Sequence, residues 1–516
     1  MKIDSELEKI FEDFLEEYFY RFSVDATKLG LHRYDYKLSN LRKSDLDDWK
    51  NELSDFRGKI QTFKNIKFPV KNTDFFLFEK KIIEELDAVS GESEYFTSPL
   101  PYVSNIFDGL ICPAFGSYAS LGVRGKSFTE RLNDVSNTRK AVEENLKLSN
   151  NLGKKAAKDQ LDILKLLISE FTGYLLTKSD IEKKDDIKQA KNTFLENLDA
   201  IAACIDNLYL DLDTEHGFSK SFRNMYPEMV NALKGAEVSI KESLLKTADL
   251  IVKKAREIKI SAPFLETLKN VLDEKILISQ EQLDSVFQSI KDAGKEMFGE
   301  TDLKINFRKL VLSEENTQKL SRISHPFEIL ACGVFDRNLY VSFTSFAPVS
   351  IPFLVSNLVR YVYPGKAYLT EVKKNKEKQY RKYFGNKMIE EGWKVYAVQG
   401  MKDSLKRIFG NGFELSSLYG EYLYLLKALI QCKLLNHEIA TPEIERIVSE
   451  DQVLLDKDMF LKEFILDEGQ SLLGFLGFNT ILDLKRQFVR KYRERDFNLN
   501  LLSNSSLPIR TMRQVL

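Results

Sequence analysis

Four histidines (His32, His216, His325, His437) and four cysteines (Cys112, Cys204, Cys332, Cys432) are the whole stock of imidazole bases and soft ligands in the chain. The cysteines stand far apart with no CxxC pair, so no zinc-ribbon spacing exists, and small core filler is the role their type predicts. His437 sits beside Glu438 and near Cys432, a grouping that could supply a catalytic base; alone in sequence, it also reads as a hydrogen-bonded structural residue. There is no HExxH, no GxSxG and no GxGxxG after a strand. The nearest approach to a phosphate loop is Gly122-Val123-Arg124-Gly125-Lys126-Ser127. Ser120 stands where a true P-loop needs its first glycine, so the reading is a capping loop before a helix over 127–149. Lys373, Lys374, Lys376, Lys378, Arg381, Lys382 and Lys387, with Tyr380, Tyr383 and Phe384, form the one basic cluster with rings. Such a set could track single-stranded nucleic acid, and it is also what a solvated lysine-rich helix face presents.

The balance of charges weighs on that choice. Lysine plus arginine is 76 and aspartate plus glutamate 77 in 516 residues, a net charge of −1. Binding held by phosphate neutralisation calls for a basic excess, so no nucleic-acid partner is expected. With 43% hydrophobic and 30% charged residues the chain can bury a large core. Scarce glycine (24) and proline (12) beside 36 Phe and 21 Tyr favour long packed helices. The opening Met1-Lys2-Ile3-Asp4-Ser5-Glu6 turns acidic at once, unlike a signal peptide. Asn338 to Val359 is uncharged and long enough to span a bilayer, but Pro348, Pro352 and many Ser, Thr and Asn residues make it buried interior instead. No membrane partner is expected, and the compartment these features predict is the cytoplasm.

The elements that must position any site are mostly helical. Ser5-x-x-Glu8 and Ser44-x-x-Asp47 have the form of capping boxes. After the second, Leu46, Trp49, Leu53, Phe56, Ile60 and Phe63 step 3-4-3-4-3, a seam that must pack on a neighbour. Helical periods follow at about 127–149, 154–176, 183–210, 227–259 and 279–297, then at 353–362, 391–408, 416–434, 442–449 and 469–492. Between the two sets, 303–312 and 339–344 alternate like strands.

Five stretches, in order, resemble one family. Ala26-Thr27-Lys28-Leu29-Gly30-Leu31-His32-Arg33-Tyr34-Asp35 is similar to a T-x-LG-x-HRYD opening. Tyr363-Pro364-Gly365 sits where the family writes HExYPGHHLQ, and Glu391-Gly392-Trp393-Lys394-Val395-Tyr396-Ala397 is similar to EGWALYAE. Gly469-Gln470-Ser471-Leu472 with Gly477 looks like PGQALSYxxG, and Ser505-Ser506-Leu507-Pro508-Ile509 resembles a terminal GSLPL. The chain thereby resembles the domain-of-unknown-function 885 family of bacterial and archaeal proteins, relatives of gluzincin-type zinc metallopeptidases.

The departures cluster on the chemistry. The family's first histidine and glutamate fall at Arg360 and Tyr361, its paired histidines at Lys366 and Ala367, and the last glutamate of EGWALYAE at Val398. The tyrosine of PGQALSY is Gly474; the aspartate of DTGLH falls at Lys433, although His437 aligns with its histidine; and Phe497-Asn498-Leu499 lacks the histidine of FHD. Zinc needs imidazole, thiolate or carboxylate ligands, which arginine cannot become. Whether the family's acidic ligand corresponds to Glu391 or Val398 stays open.

The resemblance and the periodicity together imply a mainly α, bilobed helical body, with a small β-sheet from 303–312 and 339–346 lining a central cleft as in helical gluzincin-type metallopeptidases. Residues 1–270 would form an N-terminal helical region and 271–516 the metallopeptidase-like region. The expected vestigial cleft gathers Arg360, Tyr361, Lys366, Glu391, Tyr396 and His437, with no catalytic residue, no metal and no cofactor. The implied function is a catalytically inactive protein binding a peptide or protein partner; the alternative is an active hydrolase using Glu391, His437 and Tyr396. A Glu391 that has lost a divalent partner needs another cation, and a salt bridge from Arg360, with Lys366 second, is the expectation.

Overall fold

Leu46, Trp49, Leu53, Phe56 and Ile60 all end up buried on one face of the helix Lys43–Gln61. The sequence period has become a packing face, with Trp49 ringed by Phe14, Tyr18 and Phe22 of the neighbouring N-terminal segment. The computed structural model describes residues 2–63, 72–90, 93–116, 118–149, 151–178, 181, 183–210, 233–259, 261–276, 279–301, 304–309, 329–335, 338–343, 349–374, 383, 385–467, 469–488 and 493–516. The chain divides into two compact units.

The first unit comprises Met1–Met225, Asn306–Asp336 and Tyr340–Ser345. Among the described residues its α-helices are α1 (Lys2–Arg21), α2 (Ser23–Lys28), α3 (Lys43–Gln61), α4 (Asn72–Ala88), α5 (Glu94–Thr97), α6 (Leu100–Phe115), α7 (Leu121–Asn145), α8 (Asn151–Leu176) and α9 (Lys184–Asp206). The two-residue strands β1 (Leu148–Ser149) and β2 (Tyr209–Leu210) pair in parallel.

The second unit comprises Tyr226–Ile305, Arg337–Leu339 and Phe346–Leu516. It holds α10 (Leu233–Ile258), α11 (Phe264–Asp273), β3 (Lys275–Ile276) and α12 (Gln280–Phe298). The strands β4 (Lys304–Lys309), β5 (Ile329–Phe335) and β6 (Asn338–Phe343), whose residues fall mostly in the first unit, form a sheet in the order β4-β6-β5, and in the second unit β7 (Val349–Ser350) pairs antiparallel with β3. Then follow α13 (Ile351–Tyr361), α14 (Lys366–Lys374), α15 (Lys387–Leu435), α16 (Thr441–Glu450), α17 (Lys457–Leu466), α18 (Gln470–Phe488), α19 (Glu494–Ser503) and α20 (Ile509–Val515).

The protein is mainly helical, and the strands are a minor part of it. The two strands read from sequence are present over 304–309 and 338–343, with a third, β5, that the alternation did not reveal. The boundary drawn at 270/271 falls inside α11, and α10 belongs with the second unit. Side chains tie α10 to α15: Lys254 pairs with Glu414 at 3.3 Å and Lys433 with Glu237 at 3.1 Å. The texture change near 300 marks where strands begin, which is a different thing from where a unit ends.

Local caps differ from the sequence reading. Helix α1 already starts at Lys2, so Ser5 lies inside it, and α3 starts at Lys43 with Arg42 as an N-cap whose side chain makes no capping bond. The Gly122–Ser127 segment is no loop but the first turns of α7, capped by the Ser120 hydroxyl accepting the Val123 N–H at 3.4 Å. Arg124 within it is buried and donates to the carbonyls of Pro113 and Ala114, orphan acceptors at the end of α6, and to that of Ala119 in the connection, at 3.0–3.1 Å. Among the described residues no helix is long and apolar enough to cross a membrane. Of the basic cluster, residues 375–382 and Phe384 lie outside the described residues, as do His216 and His325. Lys373 is buried, not a solvated helix face.

Candidate functional site

Gly410 breaks α15 with a φ of 75°. That left-handed conformation is open to glycine at little cost. Across it Lys402 pairs with Glu421 at 3.4 Å and Lys406 with Glu414 at 2.8 Å. On a straight helix the first pair would stand about 28 Å apart. The element is therefore a helical hairpin, matching the two separate periods at 391–408 and 416–434.

The motif glycines set how closely α18 crosses this hairpin. A Cβ on Gly392 would fall 2.3 Å from the carbonyl carbon of Gly477, and one on Gly477 would fall 1.9 Å from the Met388 carbonyl oxygen. Only paired glycines let the two backbones touch. Next to Gly392, Trp393 is fully buried and its Nε1–H donates to the Pro364 carbonyl at 2.7 Å. Tyr363 of the same motif donates to the Gly299 carbonyl, Tyr368 to Phe298 O at 2.8 Å and Asn498 Nδ2 to Met297 O at 2.8 Å. Three successive carbonyls at the end of α12 are thus met by side chains from three segments. Asn386 opens α15 by accepting the Ile389 N–H at 3.4 Å, and it donates to the Leu507 carbonyl at 3.2 Å. Four of the five motif stretches accordingly meet in the second unit.

The fifth belongs to the first unit and builds a buried polar knot there. Asp35 accepts from the Thr27 hydroxyl at 2.5 Å, lies 2.8 Å from His32 Nδ1 and 3.5 Å from Arg131. Arg131 is fully buried and also donates to Gly109 O, Lys37 O and Thr27 Oγ1. Burial alone would raise the Asp35 pKa; the bonds from His32, Thr27 and Tyr118 and the Arg131 charge outweigh it and hold the carboxyl below its usual range. The His32 ring stacks on Tyr118 with centroids 3.6 Å apart.

The expected cleft residues are distributed as follows. Arg360 and Tyr361 end α13; Arg360 is half-buried with its guanidinium 5.5 Å from the Tyr424 ring centre, and Tyr361 is 36% exposed. Glu391 pairs with Lys394, three residues on in the same helix, and not with Arg360. That corrects the expected bridge, and the reason is local: Lys394 stands where the resemblance has alanine, one helical turn from Glu391, and reaches it without any tertiary adjustment. Lys394 also lies 5.6 Å from the Tyr361 ring. Lys366 is exposed at the start of α14 and acts electrostatically on Glu390, whose own partner is the buried Lys373 at 2.6 Å. Tyr396 is buried against Trp393 and Phe298, with its hydroxyl 3.3 Å from Glu494. Burial, then Glu494, pushes its pKa far upward. His437 is exposed just past α15 in left-handed backbone (φ 57°), carried ~17 Å along the helix axis from the level of Tyr424. Nearby Cys432 is no ready nucleophile, since burial pushes its thiol up to about 12.

Sequence reasoning missed Lys394, Lys373 with Glu390, and Tyr424. The i,i+3 spacing of Glu391 and Lys394 was a usable signal. Tyr424 had none: its hydroxyl is buried against Gly474, whose Cβ would fall 2.4 Å from it, in the field of Arg360, Asp467 and Glu391. Among the described residues no group of three or more His, Cys, Asp or Glu side chains is gathered closely enough to hold a metal ion.

No family model matches the chain, and no curated protein matches it. Solved structures do. The structure of the "putative lipoprotein from Colwellia psychrerythraea" aligns over 98% of this chain and 97% of its own, with a TM-score of 0.76 and 11% identity. That of "a putative lipoprotein of unknown function from Shewanella oneidensis" aligns over 98% of each chain, with a TM-score of 0.65 and 13% identity. At such identities the likeness is one of fold, and this chain shares the fold of both proteins along nearly its whole length.

Proposed function

We propose that this chain is a catalytically inactive relative of gluzincin-type metallopeptidases, of the domain-of-unknown-function 885 kind, that binds a peptide or protein segment. A strand-lined cleft of the gluzincin type belongs to the same proposal. The observation that carries it is the Glu391–Lys394 pair. The carboxylate of the best-kept motif is already neutralised from its own helix, while Arg360 and Tyr361 stand where the resemblance places a histidine and a glutamate. An arginine cannot ligate zinc, and tyrosine is a poor replacement for a carboxylate base at neutral pH.

The test is metal analysis of the purified protein after zinc loading, joined to a peptidase assay on mixed peptides. The reading expects neither stoichiometric zinc nor turnover. Zinc retained through residues near 360–400, with hydrolysis that a chelator abolishes, would sink it. We place the protein in the cytoplasm, a reading supported by Cys112, Cys204 and Cys432 standing as free thiols. The description of both solved neighbours as lipoproteins speaks for the cell envelope instead, and fractionation of the producing cell decides between them.

A further inference from the structure

Among the described residues, the two carboxylates that act on Tyr424, Glu391 and Asp467, already have their donors. Glu391 is held by Lys394. Asp467 accepts from Gln431 Nε2 at 2.6 Å and from the Ser471 N–H and hydroxyl at 2.8 and 2.9 Å. Elsewhere in the unit, Glu463 is taken by Lys427 at 2.7 Å and Glu390 by Lys373 at 2.6 Å. Arg360 is left over. Its guanidinium is half-buried at the end of α13, and among the described residues its one side-chain interaction is with the Tyr424 ring. At 5.5 Å from the ring centre the guanidinium is within cation–π range of Tyr424, and among the described residues no carboxylate or carbonyl accepts from its N–H fork. Withdrawing a cation from water without a counter-ion costs free energy that an arriving anion recovers.

We propose that Arg360 is the recognition group of a carboxylate-binding site, taking the two oxygens of a peptide's C-terminal carboxylate on its N–H fork near the Tyr424 ring. This rests on the peptide-binding reading above and gives that reading a ligand chemistry. Two planar, complementary groups make two parallel charge-assisted hydrogen bonds, the strongest neutral-pH match a guanidinium has short of phosphate. Lys394 cannot serve in its place, being committed to Glu391.

Equilibrium dialysis of the full chain against a randomised tripeptide pool tests this, once with free C-termini and once with C-terminal amides. Acetate is titrated separately and followed by the thermal unfolding midpoint. The acid pool should be retained, the amide pool should bind about tenfold more weakly, and Arg360→Gln should bring the acid pool down to the amide level. Arg360→Lys keeps the charge and loses the fork, so it should fall between the two; it also serves if the glutamine variant does not fold. Equal retention of acid and amide pools, or retention untouched by both substitutions, overturns the carboxylate site while leaving peptide binding in place. Acetate stabilisation that Arg360→Gln removes, with neither pool retained, supports the carboxylate site and overturns the peptide reading. Failure of pools and acetate alike overturns the site.

Discussion

Trp393 and Pro364 lie in two motifs well separated in the chain, and the indole N–H of one donates to the carbonyl of the other at 2.7 Å. The bond is buried, so neither group has water as a substitute. It fixes the turn after α13 against the first half of the α15 hairpin, and with it the position of Arg360.

Trp393→Phe keeps most of the apolar volume and leaves the Pro364 carbonyl without its donor. The expected loss is about 1–3 kcal/mol of unfolding free energy, the desolvation cost of a buried unpaired acceptor. A urea midpoint unchanged from the parent would show that the bond holds nothing in place.

Gly392→Ala should be far more damaging than its chemistry suggests, because the new methyl would meet the Gly477 backbone at 2.3 Å. Backbone cannot yield as a flexible side chain does, so the helices must separate. Gly420→Ala, on the second half of the same hairpin with open space around it, should instead stabilise by roughly 0.4–1 kcal/mol. Opposite signs in thermal midpoint are the expected result.

Burial alone would raise the Glu390 pKa; Lys373, then Lys366 and Lys394, override it and hold the carboxyl below its usual range. A carboxyl depressed in the folded state contributes stability above its unfolded pKa, and that contribution disappears as pH falls through the folded value. Glu390→Gln should therefore be less stable than the parent at pH 7. The difference should narrow as pH drops below the ordinary carboxylate range. A gap that stays constant from pH 7 to pH 3 would falsify this assignment.

Asp35→Asn strands the fully buried Arg131 without its anion and should cost about 3–5 kcal/mol. Arg131→Met alone should also destabilise, by leaving Asp35 buried and unpaired. Because the two share one network, the double variant should recover part of the summed loss. Additivity of the two single changes, measured by denaturant unfolding, would show that the pair is not coupled.

Much of the fold was legible because periodicity is a local property. The buried face of α3, the two arms of the hairpin and the run of helices follow from where apolar residues recur, and the glycine between the arms allows the reversal. The motif residues could be read as a group, and the tertiary structure does bring Tyr363-Pro364, Gly392-Trp393, Gly477 and Leu507 into one unit. Pairing of charges was another matter. A sequence states which cations and anions exist, but a salt bridge forms between groups that reach each other at the least cost in desolvation and side-chain order. Lys394, one turn from Glu391, won over an arginine that had to arrive from another helix. The same holds for Arg131 and Asp35, distant in sequence and joined only because α2 and α6 pack together beside α7. What the sequence determined by itself was the period of its helices and the places where two backbones could touch. Where the two charges of a buried pair lie far apart in the chain, as Arg131 and Asp35 do, packing decided the pairing, since only packing sets which distant polar groups lose water together.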